Sequence, residues 1–436
     1  MTSNDQYDCI VIGGGPAGAT CATILADHGR RTLVLERGRF PRFHVGESLM
    51  PQTYWTFKRL GVLDALRQSH FVRKESVQFV TASGKESRPY YFTDRDPNEW
   101  STTWQVRRDE FDKLLLDNAR AHGAEVREGV GVRRVLFEGD RAVGVAVSPA
   151  PRTADVSAST PSGAEEISAD TSSEIRAKVV VDATGQSALL SRQLRIITPD
   201  PQLKKGAIYA HYRGGLRDTG RDEGATLVLH TPNREGWFWY IPLPDDIVSV
   251  GVIGDPLYLF HGRGDDPGAT LSEEIANCPA VRRRLIGAER ASGVYVTSDL
   301  SYRADRMAGD GWVLVGDAFG FLDPVYSAGV LLALKGGEFA ADAIHDALEA
   351  GDVSAERLGR FAPELTTGLH RMRMLVHAFY DKGLSFGAFF RDHPEHRDRM
   401  VRLLIGDLFT DEIDPIFDDL RQYSNLPDPV PLTVKG

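Results

Sequence analysis

The sequence predicts an α/β fold of Rossmann type, with an inserted antiparallel sheet and a C-terminal helical region. The apolar run 7–12 ends in glycines, as a buried parallel strand does. Small residues over 16–28 then predict a helix and 32–36 a second strand, which completes a βαβ unit. Further on, 205–255 is rich in β-branched and aromatic residues, which favours an antiparallel sheet. From 345 onward the pattern is helical.

The remaining segments follow this scheme in chain order. Helical patterns cover 51–68 and 109–122, and 125–147 predicts a strand followed by a hairpin arm. The stretch 148–173 has almost no large apolar side chain, so we expect a flexible insertion. The strand 174–183 should pair back with the hairpin arm. Three units are expected. A dinucleotide-binding domain comprises 1–75, 101–190 and 296–345, and an inserted sheet domain comprises 76–100 and 191–295. A helical region comprises 346–436.

Composition excludes several classes of function. The 436 residues carry a net charge of −10, which argues against a nucleic-acid or anionic-membrane partner. The three cysteines, Cys9, Cys21 and Cys278, make neither a disulfide framework nor a metal-ligand spacing, so we predict no metal site and a reducing cytoplasm. The polar N-terminus does not resemble a secretion signal, and no apolar run approaches the roughly 20 residues that span a bilayer.

A glycine-rich turn follows the first predicted strand. Gly13, Gly15 and Gly18 have the G-x-G-x-x-G spacing that allows a tight turn and close approach of the backbone to a pyrophosphate. The helix that starts at Pro16 and Ala17 then directs free amide N–H groups at the phosphates. Glu36 ends the second strand, where an acid accepts from both ribose hydroxyls and disfavours a 2′-phosphate. The sequence therefore predicts a dinucleotide other than NADP.

Two later turns indicate whether the dinucleotide is NAD or FAD. Asp182 to Gly185 reads D-A-T-G at the end of a strand, and Gly316-Asp317 ends another. With the first turn, and with Arg108 directly before a helix that begins F-D-K-L-L, this order resembles the two-dinucleotide-fold flavoproteins built like aromatic hydroxylases. The resemblance implies non-covalent FAD, with Arg108 offsetting pyrophosphate charge. It implies further cofactor-binding residues: Arg37, Arg42, Gly46, Ser48, Val132, Gly329 and Val330.

Two motifs resemble those of flavin-dependent halogenases. Trp237, Trp239, Ile241 and Pro242 match the W-x-W-x-I-P segment, with the first three on one strand face and Phe238 and Tyr240 on the other. This segment would wall the flavin off from the organic substrate, although similar segments occur in geranylgeranyl-reductase-like proteins. A second match, to F-x-x-P-x-x-S-x-G, places residues by family resemblance: Phe321 and Pro324 beside the wall, and Ser327, Ala328 and Gly329 at a halide.

Two more segments complete the resemblance. The segment from Pro41 to Pro51 resembles the family's G-E-S-L-x-P segment and should form a strap over the flavin ring. Lys74 lies at the position of the family's catalytic lysine. The chain departs from the family after this lysine, because Glu75-Ser76 replaces x-Gly. A partly desolvated lysine shifts its pKa toward neutrality. The alternative for Lys74 is an exposed residue in a charged turn.

The resemblance implies that FADH2 and oxygen give a flavin hydroperoxide, which halide converts to hypohalous acid that travels to the lysine. The product is a halogenated phenol-like or pyrrole-like aromatic, free or tethered to a carrier protein, with chloride or bromide as halide. No second G-x-G-x-x-G is present for a nicotinamide, so a separate flavin reductase is expected. Two alternatives stay open: a flavin monooxygenase or reductase without halide chemistry, and a non-catalytic flavin-binding protein.

Overall fold

The structure is a computed structural model that describes residues 6–81, 83–149, 173–298 and 301–432. The predicted flexible insertion at 148–173 lies outside the described residues except at its two ends. Within the described ranges, no helix combines the length and apolar character needed to cross a membrane.

A mainly parallel sheet forms the first layer and confirms the predicted βαβ start. In spatial order its main strands are Ala308–Gly309, Trp312–Leu314, Ser173–Asp182, Tyr7–Ile12, Thr32–Glu36 and Glu125–Glu128. The hairpin Val130–Glu138 and Arg141–Pro149 continues this sheet, because its second arm pairs antiparallel with the start of Ser173–Asp182. The predicted pairing of these two strands is therefore confirmed.

Helices cover the first sheet. The helix Pro16–Asp27 packs against two others, Arg108–Ala121 and Gly329–Glu349. The single helix predicted over 51–68 is instead two helices, Thr53–Arg59 and Leu63–Gln68. Gly61 between them has a φ of +72°, a left-handed conformation that ends a helix and favours glycine.

The second sheet carries the aromatic strand. In spatial order its strands are Glu289–Arg290, Gly206–Arg213, Ile247–Gly254, Gly236–Pro242, Thr226–His230, Ser76–Val80 and Tyr90–Tyr91, with Tyr295–Thr297 also paired to Gly206–Arg213. On Gly236–Pro242, Trp237 and Trp239 face a core shared with the C-terminal helices. Phe238 and Tyr240 face the opposite core. The predicted division of this strand into two faces is confirmed.

Smaller elements connect the two sheets. One ribbon pairs Val72–Lys74 with Thr103–Gln105, and a three-stranded sheet joins Ile197–Pro199, Tyr302–Ala304 and Gly320–Phe321. Ile197–Pro199 thus differs from its expected place in the inserted sheet. The remaining α-helices are Leu189–Gln193, Pro256–Leu259, Pro267–Asn277, Pro279–Arg284, Ala355–Leu358, Ala362–Tyr380, Phe386–Asp392, His396–Ile405 and Pro415–Leu420.

The contact between the first helix and Gly329–Glu349 depends on Gly337. A Cβ at this position would lie 2.4 Å from the carbonyl oxygen of Ala17. We expect Gly337→Ala to lower the free energy of unfolding by about 1–3 kcal/mol, because backbone must move to accept the methyl group. Urea unfolding measures this. Gly293→Ala is the control, since a Cβ there meets only the Tyr295 ring at 4.0 Å; equal losses in the two variants would contradict the packing argument.

Candidate functional site

The first glycine-rich turn has the geometry that a pyrophosphate requires. Gly13 has a φ of +105°, and a Cβ there would lie 2.4 Å from the Ala183 carbonyl oxygen. A Cβ on Gly18 would lie 2.0 Å from the Gly13 carbonyl oxygen. Gly15 is the N-cap of the helix that Pro16 and Ala17 begin, and the nearest atom to its open side is Nη2 of Arg42. A helix N-terminus beside a guanidinium is an anion-binding arrangement.

Charged groups frame this turn. Glu36 is 5% exposed, and its carboxylate accepts from the amides of Gly14 at 2.8 Å and Gly38 at 2.7 Å. Arg42 Nε lies 3.8 Å from Glu36 Oε1. Arg37, which directly follows Glu36, is exposed. Glu36 therefore holds the turn through both of its carboxylate oxygens.

Arg108 is buried and joins its helix to the strap, residues 41–51. Its Nε and Nη2 donate to Asp112 at 2.7 and 3.0 Å. Its Nη1 donates to the carbonyl oxygens of Val45 at 2.6 Å and Gly46 at 3.1 Å. Gly46 has a φ of +97°, and a Cβ there would lie 2.9 Å from Nη1. Arg108 therefore positions the strap, and this was not expected from the sequence.

The middle turn holds its own backbone. The Asp182 carboxylate accepts from the amides of Thr184 at 2.9 Å and Leu190 at 2.7 Å. Gly185 has a φ of +61°, and a Cβ there would meet open space. Val132 lies on the adjoining hairpin and packs partly buried against the core. Asp182 thus fixes the shape of the turn.

One cavity brings the two late motifs together. Its lining residues include Gly316, Asp317, Phe321, Ala328 and Gly329. Burial raises the pKa of Asp317 to about 7, and the Arg108 guanidinium partly opposes that shift. The structure therefore places the predicted halide loop, residues 321–329, beside the late turn Gly316-Asp317.

The halide loop exposes consecutive amides. Ser327 has a φ of +60°, and the chain turns there into the helix Gly329–Glu349, whose N-cap is Ala328. The first-turn amides, including those of Gly329 and Val330, have no acceptor within the helix. Phe321 closes one side, with a ring carbon 3.5 Å from the Cβ position of Gly329. Such amides bind a small anion.

The aromatic strand, Gly236–Pro242, packs against this loop from the side of the second sheet. Trp237 donates from Nε1 to the Tyr380 hydroxyl at 2.9 Å, and that hydroxyl donates to Asp323 Oδ2 at 2.8 Å. Asp323 Oδ1 accepts from the amide of Val325 and so caps the turn that starts at Pro324. Burial raises the pKa of Asp323 to about 6. The rest of the predicted wall, Trp239, Ile241 and Pro242, is also buried.

Lys74 is buried rather than exposed. The residue is 3% exposed. Its Nζ donates to Ser48 Oγ at 2.8 Å and to the Leu49 carbonyl oxygen at 2.9 Å. Both acceptors are neutral, and burial lowers the pKa of Lys74 to about 7. Glu75 points away and pairs with Arg221 at 3.3 Å. Its carboxylate is therefore not what shifts the lysine.

A buried polar network supports the amine. Ser48 Oγ lies 2.8 Å from Thr226 Oγ1, which also accepts from Gln105 Nε2 at 2.8 Å. Ser48, which is predicted to bind the cofactor, accepts a hydrogen bond from Lys74. Within the described residues, Thr103 Oγ1, Ser76 Oγ and Gln105 Oε1 are buried without a hydrogen-bond partner. Thr103 and Ser76 are close to Lys74 in the strand pairing and in the chain, so polar atoms are available there for a small polar molecule.

Sequence reasoning missed several of these residues. Thr226, Asp323 and Tyr380 carry no motif that a single sequence reveals. Glu47, inside the strap motif, carried a signal: it is 2% exposed, and its Oε1 lies 2.5 Å from Nε2 of His211. Burial alone would lower the pKa of His211, but the Glu47 carboxylate outweighs it and raises that pKa.

The residues present fit FAD. Glycines that admit no Cβ line the pyrophosphate turn, Arg42 stands beside it, and an acid ends the second strand. The late Gly-Asp turn continues the same cleft, because a Cβ on Gly316 would lie 3.1 Å from the Ala17 Cβ. This fold and this cleft define an FAD-dependent oxidoreductase.

Comparisons with known proteins identify the family. The sequence model of the FAD binding domain family matches residues 6–337. A 1H-pyrrole-2-carbonyl-(peptidyl-carrier protein) brominase of Pseudoalteromonas luteoviolacea is 31% identical over 94% of each chain. The corresponding chlorinase of Pseudomonas fluorescens is 29% identical over 96% of this chain and 93% of its own. The structure of the flavin-dependent brominase Bmp2 has a TM-score of 0.82 at 29% identity, covering 96% of this chain and 99% of that one. The chain belongs to the flavin-dependent halogenases, which are FAD enzymes that use halide.

The lowered pKa of Lys74 predicts a pH-dependent stability. Below about pH 7 the lysine is charged in both states, and the folded state bears the full cost of burying it. Above that pH the unfolded state binds more protons, so the wild type gains stability. We expect the free energy of unfolding of Lys74→Met to exceed that of the wild type most at low pH. This margin should narrow by about 1.4 kcal/mol per pH unit above pH 7.

Denaturant unfolding at several pH values measures this margin. The control is Lys85→Met, which replaces an exposed lysine, and the two margins are compared at each pH. A margin for Lys74→Met that stays constant from pH 6 to pH 9 would show that the amine is not desolvated, because an ordinary lysine with a pKa of about 10.4 stays charged over that range.

Proposed function

We propose that the chain halogenates a pyrrole-like acyl group that is tethered to a carrier protein, with Lys74 as the catalytic residue. The observation that carries the proposal is the burial of the Lys74 amine against neutral acceptors. The two relatives named above act, by their names, on a pyrrole-2-carbonyl group of a peptidyl-carrier protein, and they align over nearly the whole chain. An electron-rich ring of this kind reacts with a positively polarised halogen.

The halide loop supplies the first part of the reaction. Amides at Ala328 and Gly329 would hold chloride or bromide at the start of the helix Gly329–Glu349, and the Val330 amide would face the bound flavin. Bound FAD, reduced by a separate flavin reductase, supplies the oxidising equivalent from oxygen. Trp237 and Trp239 form a buried wall that keeps the organic substrate away from that oxidant.

Lys74 supplies the second part. With a pKa near 7, its amine exists in both protonation states at neutral pH. The charged form donates a hydrogen bond to a hypohalous acid and polarises it, whereas the neutral form accepts a proton. Ser48 and the Leu49 carbonyl oxygen hold two of the three N–H directions, so the third remains for the oxidant.

Removing the amine tests the assignment. With a flavin reductase, bromide or chloride, and a carrier-tethered pyrrole-2-carbonyl group, the wild type should form a halogenated product detectable by mass spectrometry. We expect Lys74→Ala to lower this rate by at least about 100-fold, because it removes the acid–base group, while FAD still binds.

Lys85→Ala is the matched control and should keep the wild-type rate. Halogenated product from Lys74→Ala at the control's rate would remove the lysine from the mechanism. Substrate oxidation that continues without halide would favour the flavin monooxygenase alternative over halogenation.

Thr226 tests the positioning network. Thr226→Val keeps the shape but removes the hydroxyl that contacts Ser48 and Gln105. We expect kcat to fall about fivefold, the equivalent of one hydrogen bond, with KM unchanged. The midpoint of the kcat–pH profile that is assigned to Lys74 should move to lower pH, because the hydrogen-bond network that stabilises the charged amine is weakened. Thr226→Ser should restore both values; an unchanged midpoint in the valine variant would contradict the positioning role.

A further inference from the structure

Two histidines and two carboxylates converge where the C-terminal helices meet. His393 follows the helix Phe386–Asp392, Glu395 and His396 begin the next helix, and Asp419 lies in Pro415–Leu420. One nitrogen or oxygen atom from each residue lies within 4.8 Å of all the others. This group is outside the halogenation site described above.

The distances suit a transition-metal ion. His393 Nδ1 lies 3.5 Å from Glu395 Oε1 and 3.6 Å from Asp419 Oδ2. In a tetrahedral zinc site with bonds of about 2.0–2.2 Å, neighbouring ligand atoms are about 3.3–3.5 Å apart. His396 Nε2 donates to Asp419 Oδ2 at 2.7 Å, a contact that a metal would replace. We propose that His393, Glu395, His396 and Asp419 bind one zinc-like divalent ion.

The imidazoles are held in place before any ion binds. Phe389 stacks on His393 with ring centroids 5.2 Å apart, and on His396 at 5.7 Å with an interplanar angle of 2°. Tyr423 packs edge-on against Phe389 and His393. His396 is 2% exposed. Fixed rings lower the ordering cost of binding, and outer contacts of this kind commonly tune metal sites.

Charge at the site also suits a divalent cation. Two carboxylates balance the charge of the ion, and the two imidazoles bind in the neutral form. Arg399 opposes this, since its Nη1 lies 3.2 Å from His396 Nδ1 and favours the tautomer with a proton on Nε2. Binding through Nε2 moves that proton to Nδ1 and turns the guanidinium away. The ion therefore replaces an Asp–His–Arg chain of hydrogen bonds with stronger bonds.

The ion would join three helices at a point that matters for the rest of the chain. The helix Phe386–Asp392 follows Ala362–Tyr380, which ends at the Tyr380 that contacts Trp237 and Asp323. Binding energy at a site formed only in the folded state adds to folding stability. The ion thus acts as a structural clamp on the region that carries Tyr380.

Zinc binding by the full chain tests the proposal. After dialysis against EDTA, Zn²⁺ alone is titrated against a chromogenic chelator, and Tm is followed. We expect one equivalent to bind and Tm to rise. His393→Ala and Asp419→Asn should each weaken binding by more than about 100-fold, beyond the range for outer contacts. His122→Ala, which alters a histidine paired with Asp27 elsewhere, should bind like the wild type.

A second measurement covers variants that fail to fold. Co²⁺ bound to the wild type should give the strong visible bands of a tetrahedral nitrogen–oxygen site. The proposal is overturned by wild-type protein that binds no Zn²⁺, by variants that bind as tightly as His122→Ala, or by a Co²⁺ spectrum like that of the hydrated ion.

Discussion

Burial of the Lys74 ammonium is the interaction on which the site depends. A charged amine 3% exposed and without a carboxylate partner in the described chain carries a large desolvation cost. The fold accepts this cost through two neutral acceptors, Ser48 and the Leu49 carbonyl oxygen. The result is an amine that changes charge near neutral pH. An exposed lysine in the same strand would remain charged and solvated.

The strap links this amine to the nucleotide side. At one end, Arg108 donates to the carbonyl oxygens of Val45 and Gly46. At the other, Ser48 pairs with Gln105, and Leu49 accepts from Lys74. Gln105 and Arg108 lie three residues apart in the chain, so one short segment positions both ends of the strap. The contacts of Arg108 and the amine of Lys74 are thus connected through one strap.

Local sequence patterns predict much of the fold and part of the candidate site. The turn at Gly13 and the faces of the strand at Trp237 are set by spacing within a few residues, so the sequence predicts them. Lys74 was found by resemblance, which implied a partly desolvated amine, whereas Arg73 and Glu75 beside it left an exposed turn open as the alternative; the structure decides for burial. Thr226 lies about 150 residues from the lysine it supports. Only the pairing of Thr226–His230 with Ser76–Val80 brings them together.

The C-terminal region shows the same limit. His393, Glu395 and His396 are close in the chain, but Asp419 joins them only when the helices pack, so spacing in the sequence does not reveal the cluster. The central claim is that Lys74 carries a desolvated amine held by the strap. An NMR titration of ¹⁵N-labelled lysine side chains, with Lys74→Met to assign the signal, tests it directly. A midpoint near pH 7 agrees with the account; a midpoint near the ordinary lysine value of about 10.4 contradicts it.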